Sequence, residues 1–314
     1  MSKRMLSALR ACRFGPALLA TALLGLVTAG FSTVATAGMG KPTPRQIDLQ
    51  DSATDMAREI HLFHDKLLIV ITAITIFVML LLLWVMLRFN EKANPNPSKT
   101  THSTALEVAW TIIPILVLLY ISIPSFRLLY KQYEFPKPDV TIKSTGHQWN
   151  WTHEYVDNGV SMESLMLNEQ DRAARIKATG LPESELPRLL AVDNEIVVPV
   201  NKVVHVLVTA TDVIHAWQIP SFGAHTDAVP GRITATYFKA NTTGMFYGQC
   251  SQLCGKDHAF MPIAVRVVPD GVYTQWLAVM SDKTLKKQEK LEKARGIVVK
   301  AALEDLQNRK VASK

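Results

Sequence analysis

The chain has 314 residues, enough for one or two domains, and 48% of them are hydrophobic. The formal net charge is +7, but residues 135–281 hold 11 Lys and Arg against 14 Asp and Glu, so the middle of the chain is mildly acidic. This balance argues against a nucleic-acid-binding protein, and the hydrophobic content favours membrane segments.

Residues 1–37 have the pattern of a secretory signal peptide. They contain four cations and no acid, then an apolar run, and they end in the small residues "ATA", a cleavage pattern before Gly38. A first membrane anchor that is never cleaved is the alternative. Cys12 lies inside this segment and is expected to be removed or inert.

Two uncharged apolar runs follow, at 67–87 and 108–126. The first has 21 residues, which as a helix would span roughly 30 Å, the thickness of the hydrocarbon core of a bilayer. Either run alone could be a buried core helix, but the pair, joined by the polar link 88–107, predicts a transmembrane hairpin within residues 38–134. Because a signal peptide exports the N-terminus, the C-terminal half of the chain is expected on the outer side of the membrane.

After the second run the hydrophobic pattern changes to a period of two, which is typical of β-strands. The stretch 158–193 is less regular and is predicted to contain one helical turn near residues 184–190. Residues 282–314 are rich in Lys, Glu, Gln and Ala and are predicted to form a charged, mostly solvated helical tail. Several short strands separated by turn signals favour a β-sandwich or β-barrel over 135–281. These strands are predicted at 140–155, 195–200, 202–212, 235–240, 244–250 and 261–268.

Two of the three cysteines lie in the stretch "GQCSQLCGKDHAFMP", residues 248–262. Cys250 and Cys254 are four residues apart, and an exported protein with two cysteines commonly forms a disulfide. Zinc is a second interpretation, because two cysteines and His258 could ligate it, although structural zinc sites usually add a second, distant pair of ligands.

Copper is the third interpretation, and the neighbouring residues favour it. Met261 follows His258 by three residues, and His215 lies at the end of an alternating strand, 35 residues before Cys250. Two thiolates, two imidazoles and a thioether are a soft ligand set, and a weakly bound methionine is typical of copper electron-transfer sites. A mononuclear site of that kind needs only one cysteine, whereas two thiolates can bridge two metal ions and leave one histidine for each.

Together with "TDVIHAW" at 211–217 and "TGHQWNW" at 145–151, this stretch resembles the CuA region of cytochrome c oxidase subunit II. The resemblance extends over the whole chain after the signal peptide. It implies a membrane-anchored all-β protein, in which a two-helix transmembrane hairpin is followed by a cupredoxin-like β-barrel domain and a helical C-terminal tail. The domain over 135–281 would carry the copper and lie in the periplasm.

The resemblance also implies the ligands of a dinuclear copper centre, CuA. The family usually has a glutamate at the position of Gln252, and that carboxylate reaches a Mg²⁺ ion at the interface with the catalytic subunit. A neutral amide brings an oxygen and no charge, so magnesium is not assigned to this chain. The implied copper ligands are two bridging thiolates, one histidine for each copper, an axial methionine and a backbone carbonyl: Cys250, Cys254, His215, His258, Met261 and Gln252.

A tryptophan and an acidic surface match the family's contact with cytochrome c. Trp149 matches the tryptophan at which electrons arrive, although a single tryptophan is as often a core or interface residue. Trp151 is expected on the same strand face. The mild acidity of the domain suits a basic cytochrome c, with Asp212 as the preferred contact and Glu154 and Asp157 as further candidates.

The implied function is that of an oxidase subunit in a bacterial inner membrane, crossing it more than once. It would accept electrons from cytochrome c at CuA and pass them to the haem–copper subunit I, which reduces O2 to water and pumps protons; other oxidase subunits are further expected partners. Glu107 matches a carboxylate at the mouth of a proton path, but "TALE" at 104–107 is also a capping box.

Two other functions remain as alternatives. A membrane-anchored copper carrier or assembly factor can also use a CxxxC pair, but such thioredoxin-like proteins place the histidine after the cysteines, lack the HxxM sequence and alternate strands with helices. A quinol-oxidising relative of the oxidase would lack both cysteines.

Overall fold

The computed structural model describes residues 39–312, and the proposed signal peptide at 1–37 lies outside them. Residues 42–49 belong to a separate small unit. Residues 39–41 and the chain from residue 50 onward form the unit that carries every helix and strand discussed below.

Two long helices, α1 (Asp55–Arg88) and α2 (Thr104–Tyr133), confirm the predicted hairpin. Both are long and apolar enough to cross a bilayer, and no residue in the most apolar part of either helix is buried. Each helix extends beyond its predicted apolar run, because the polar residues at its ends continue the same helical backbone into the aqueous region.

The ends of α1 and α2 nearest the β-domain are bonded to each other and to that domain. Lys131, near the end of α2, forms an ion pair with Glu59, near the start of α1. The Thr54 hydroxyl oxygen caps α1 by accepting from Ala57 N (3.0 Å), and the same hydroxyl donates to Phe222 O (2.8 Å). A hydrogen bond therefore holds the hairpin against the domain in addition to the covalent chain.

Ten strands form the β-domain within the described residues, and they make two main sheets and one separate pair. The larger sheet has the order β3-β2-β1-β5-β8, in which β1 and β5 are parallel and the other neighbours antiparallel. The second sheet has the order β4-β10-β9, and β6 pairs with β7. In chain order the strands are β1 (Val140–His147), β2 (Asn150–Tyr155), β3 (Val160–Ser164), β4 (Ile196–Pro199), β5 (Val204–Ala210), β6 (His215–Ile219), β7 (Ala224–Ala228), β8 (Thr234–Phe238), β9 (Gly244–Gln249) and β10 (Pro262–Val268).

One buried cluster lies between the sheets. Strands β1 and β5 alternate buried and half-buried residues, and their buried side chains, such as Ile142 and Val206, join the same cluster as Ile263 of β10. The hydroxyl of Tyr155 in β2 connects the two sheets, since it donates to Val197 O and accepts from Val197 N, both at 2.8 Å. This architecture confirms the predicted cupredoxin-like domain.

Helix α3 (Glu169–Thr179) corrects the prediction for the irregular stretch after β3. The expected helical turn near 184–190 is only a short 3-10 turn at Glu183–Glu185, and the main helix comes earlier. Asn168 caps α3 by accepting from Asp171 N (2.8 Å), and Gly180 ends it in the left-handed conformation. These start and stop signals mark the helix better than its few apolar residues do.

The C-terminal tail is helical, as predicted, and most of its described residues are exposed or half-buried, but one face of it packs on the domain. After α4 (Asp270–Ser281), α5 (Lys287–Ala312) buries Ala294 and Val298 in the central cluster that also holds Trp276 of α4. The Arg295 guanidinium donates to Asp193 O (3.3 Å). One narrow stripe of small side chains packs on the domain, while the more numerous charged residues dominate the composition.

Acid should destabilise the folded chain through His153. This histidine in β2 is fully buried beside Ser144 Oγ (3.0 Å), and burial lowers its pKa from 6.5 to about 3. The unfolded chain therefore binds a proton below about pH 6.5 that the folded chain does not, so stability present above that pH is lost as the pH falls. The expected loss is about 1.4 kcal/mol per pH unit, or roughly 2 kcal/mol by about pH 5.

Urea unfolding of the metal-free chain in detergent, followed by tryptophan fluorescence, measures this loss. His153→Gln should have a smaller decrease in unfolding free energy between about pH 6.5 and pH 5 than the wild type. His102→Gln, at an exposed histidine of the link between α1 and α2, should keep the wild-type decrease. Equal decreases in the His153 variant and the wild type would contradict the assignment.

Candidate metal centre

Cys250 and Cys254 lie in the loop that joins β9 to β10, and both are buried free thiols. Their sulfur atoms are 3.8 Å apart, well beyond the roughly 2.05 Å of a disulfide bond. The two sulfurs face each other without being joined, so the disulfide interpretation does not describe this structure.

The other predicted ligand atoms surround this pair of sulfurs. His215 Nδ1 lies 3.9 Å from Cys250 Sγ, and the carbonyl oxygen of Gln252 lies 3.3 Å from the same sulfur. On the opposite side, Cys254 Sγ is 3.5 Å from His258 Nδ1 and 3.5 Å from the Met261 sulfur. Each sulfur thus has one imidazole and one weaker donor, and the structure brings all six predicted ligands together.

Backbone hydrogen bonds explain why the loop closes in this way. Cys250 N donates to Met261 O (3.2 Å), which joins the two ends of the loop at its base. Ser251 N donates to Ala216 O (3.2 Å), which ties the loop to β6 directly beside His215. This bond brings His215, the predicted ligand that is distant in sequence, to the loop that carries the two cysteines.

The donor set fits a soft metal cation. Burial raises the pKa of both thiols. At Cys250, hydrogen bonds with His215, with the backbone of Ala216 and Gln252 and with His258 together outweigh burial, and the pKa falls to about 7. At Cys254, the adjacent sulfur adds to burial, and the pKa rises to about 12. Two neighbouring thiolates are thus unfavourable in the metal-free protein and need cations to neutralise them. Sulfur and imidazole donors with a thioether suit copper better than zinc.

Asp212, predicted to contact a partner, also supports the candidate ligand His215, and both of its carboxylate oxygens accept hydrogen bonds. Its Oδ1 accepts from His215 Nε2 (2.8 Å) and from Val213 N (2.7 Å), and its Oδ2 accepts from Gln148 N (2.7 Å). A carboxylate on Nε2 fixes the tautomer of the imidazole and leaves Nδ1 free for a metal. The only local sequence signal for this contact is the three-residue spacing from Asp212 to His215.

Trp149 lies in the turn that precedes β2, beside the loop between β9 and β10 that carries the two cysteines, here called the metal loop. It is half-buried, and its Nε1 donates to Cys254 O (3.3 Å). Trp151 is fully buried inside β2, with its ring 6.0 Å from the ring of His215. The expectation that both rings share one strand face is wrong, because Trp149 comes before the strand begins.

Comparisons with known proteins agree with this geometry. The family model described as "Cytochrome C oxidase subunit II, periplasmic domain" matches residues 140–268, and the model of the transmembrane domain of the same subunit matches residues 42–128. Cytochrome c oxidase subunit 2 of Cereibacter sphaeroides is 45% identical over 76% of this chain and 82% of its own length. The chain belongs to the cytochrome c oxidase subunit II family.

Further relatives of subunit II show similar coverage. A probable cytochrome c oxidase subunit 2 from Rickettsia bellii is 42% identical over 82% of this chain and 90% of its own length. A crystal structure of the periplasmic domain of subunit II (CoxB) of Bradyrhizobium japonicum is 52% identical and covers 48% of this chain and 99% of that one, with a TM-score of 0.41. As a member of the subunit II family, the chain is a membrane-anchored part of the haem–copper oxidase and associates with its other subunits.

Glu107 lies at the far end of the hairpin from the metal centre, and its local structure differs from the predicted capping box. Helix α2 begins at Thr104, and Ser103 is the N-cap but makes no side-chain cap bond. The Glu107 carboxylate accepts from Ser103 N (3.3 Å), so the capping interaction is one-sided and is shifted by one residue.

Gly146 provides space for the ring of His215, a predicted metal ligand, and this role was not predicted from the sequence. A Cβ at this position of β1 would lie 2.9 Å from Cδ2 and 3.0 Å from Cγ of His215. A glycine inside a strand pattern is the signal that could have pointed to such a close approach.

Gly146→Ala should therefore displace the His215 ring and weaken copper binding by about 10–100-fold, as disturbed support of a ligand usually does. Competition with a copper chelator measures the affinity. Gly271→Ala is the matched control, because a Cβ there meets nothing within 4 Å. Wild-type affinity in the Gly146 variant would show that the ring has room to move.

Proposed function

We propose that this subunit holds a dinuclear copper centre, accepts electrons from cytochrome c and passes them to the haem–copper catalytic subunit. The observation that carries the proposal is the pair of unjoined sulfurs, 3.8 Å apart, with one imidazole nitrogen beside each. A copper pair held there would supply a one-electron redox couple. Its proposed ligands are Cys250, Cys254, His215, His258, Met261 and the carbonyl of Gln252.

The protein's own residues prepare this site for rapid electron transfer. Both cysteines, His215 and Met261 are buried, so water is kept from the centre. The loop is closed at its base, and Asp212 fixes one imidazole, so the ligands hardly need to move when the charge of the centre changes. Small rearrangement on oxidation and reduction is what a fast relay requires.

Trp149 is the proposed point at which electrons arrive. Its indole is bonded to the carbonyl of Cys254, which places an aromatic ring between the surface and a proposed copper ligand. The surrounding domain carries 14 acids against 11 basic residues over 135–281, which suits a cationic cytochrome c. Asp212, with 30% of its side chain exposed, remains the proposed acidic contact nearest to this ring.

The proposed location is a bacterial inner membrane, with the β-domain in the periplasm. A hairpin of two spanning helices places both of its outer ends on one side, and Glu107 then lies on the inner side, where we assign it to the mouth of a proton path. Magnesium is not assigned, because Gln252 offers no charge. The two-sheet domain does not support a thioredoxin-like copper carrier, the alternative function.

Copper quantitation and electron paramagnetic resonance on the detergent-solubilised chain test the proposal. The copper-loaded protein should hold two coppers per chain and give a mixed-valence signal from one electron shared by both nuclei. A visible band and a near-infrared band should accompany the signal in the oxidised state. One copper per chain, or a tightly bound zinc, would exclude the dinuclear centre.

A further inference from the structure

Gln148 is exposed in the turn between β1 and β2, yet it makes two hydrogen bonds to segments distant in sequence. Its backbone N–H donates to Asp212 Oδ2 (2.7 Å), 64 residues away. Its side-chain Nε2 donates to Cys254 O (2.9 Å), 106 residues away. An exposed glutamine in a turn needs neither contact for its own solvation. The two bonds therefore serve to fix the turn against Asp212 and against the loop that carries Cys254.

Through Asp212, the first bond is connected to His215, a proposed copper ligand. Asp212 accepts the Gln148 N–H on one carboxylate oxygen and the Nε2–H of His215 on the other (2.8 Å). The carboxylate that orients the imidazole therefore also fixes the backbone of the turn. A movement of the turn would therefore displace this carboxylate and, with it, the imidazole ring of His215.

The second bond is shared with Trp149. The carbonyl of Cys254 accepts from Gln148 Nε2 at 2.9 Å and from Trp149 Nε1 at 3.3 Å, so the amide makes the shorter contact. Gly255 permits both, because its φ is +123° and a Cβ there would lie 3.0 Å from Gln148 Nε2 and 3.2 Å from Trp149 Cζ2. The long indole bond alone would hold the half-buried ring loosely.

We propose that Gln148 is a positioning residue that holds the indole of Trp149 against the loop carrying Cys254. The inference rests on the proposed function. In the step concerned, one electron leaves the Fe(II) haem of the cytochrome, which becomes Fe(III), and reduces the metal centre by one electron; no bond forms or breaks and no proton moves. Because tunnelling falls steeply with distance, Gln148 sets the rate of this step by fixing the gap at the ring.

A measurement on the metal-free chain tests the positioning directly. Gln148→Met keeps the length and neutrality of the side chain but removes the donor. In the chain labelled with ¹⁵N in its indoles, the Trp149 N–H, assigned through Trp149→Phe, should exchange with solvent about five- to tenfold faster in this variant. Gln288→Met, on the exposed side of α5, should leave the rate unchanged. An unchanged rate in the Gln148 variant overturns the proposal, whether or not the chain binds copper.

The assembled oxidase provides the second test. Gln148→Met should lower kcat for cytochrome c about tenfold, leave KM within about twofold, and leave reduction by hexaammineruthenium(II), which needs no docking over the ring, unchanged. A rise in KM alone would make Gln148 a docking residue, and an equal loss with both reductants would make it a support of the metal only. Either result overturns the proposal.

A double-mutant cycle separates action through Trp149 from action elsewhere. In a Trp149→Phe background, Gln148→Met should cause no further loss of kcat, because the ring it positions has already lost its N–H. Additive losses would overturn the proposal. Failure of the proposed function has a different signature, namely a wild-type chain that lacks the mixed-valence copper signal.

Discussion

Replacing Cys250 or Cys254 with serine should abolish the mixed-valence copper signal and the oxidation of cytochrome c by the assembled oxidase. The two sulfurs stand 3.8 Å apart with donors on both sides, so the loss of either would leave both proposed metal positions short of a bridging ligand. A serine hydroxyl is a hard donor that stays protonated near neutral pH and cannot replace a thiolate. We expect copper affinity to fall by at least about 100-fold.

The measurement is copper content and the paramagnetic signal of each variant after loading with excess copper and removal of the free metal. Met261→Leu is the informative comparison, because the proposed role of its thioether is to tune the reduction potential of the site and not to bridge the metals. That variant should keep two coppers per chain and shift only the reduction potential. Met86→Leu, at an exposed methionine of α1, is the control outside the site. If either single serine variant at 250 or 254 kept the mixed-valence signal, the bridging role of that sulfur would be excluded.

The helices and the metal loop could be predicted from the sequence because both are local. An uncharged run of 21 residues sets the length of a membrane helix whatever it contacts. Likewise, Cys250, Cys254, His258 and Met261 lie within a single loop closed at its base, so their spacing in sequence nearly fixes their spacing in the structure. His215 could be named from the sequence as a soft donor, but its distance from the loop could not, since it lies 35 residues before Cys250 and a bond from Ser251 N to Ala216 O in β6 brings it there.

The contacts that support the site could not be predicted in this way. Asp212 was expected to face a partner, because an acid beside a ligand histidine has no sequence signal that says which way its carboxylate points. The bonds of Gln148 join residues 64 and 106 positions apart, and only the folded strands create them. The contact of the tail with the domain could not be predicted, because its two buried residues, Ala294 and Val298, lie among many charged ones.

Arg266 is the clearest example of a buried group that composition conceals, and its removal should have the largest effect on stability. Its side chain is 3% exposed, although it lies in the middle of β10. Its Nε donates to Glu195 (2.6 Å) and its Nη1 to Glu185 (3.4 Å). Burial lowers the pKa of Arg266, but the two carboxylates outweigh it and raise the pKa above its usual value, so the guanidinium stays charged.

Arg266→Met should lower the free energy of unfolding by about 3–5 kcal/mol, because it leaves two mostly buried carboxylates facing each other without a cation. Urea unfolding of the detergent-solubilised chain measures the change. Lys293→Met, which breaks an exposed ion pair with Glu289 (2.8 Å), should change stability far less.

A rescue experiment shows whether the lost charge or the lost packing is responsible. Adding Glu195→Gln and Glu185→Gln to Arg266→Met removes the unpaired charges and should recover most of the stability, since apolar and neutral groups can replace a buried ion pair with little net effect. If the triple variant stayed as unstable as Arg266→Met, the packing of the long side chain in the sheet, and not its charge, would hold this side of the domain together.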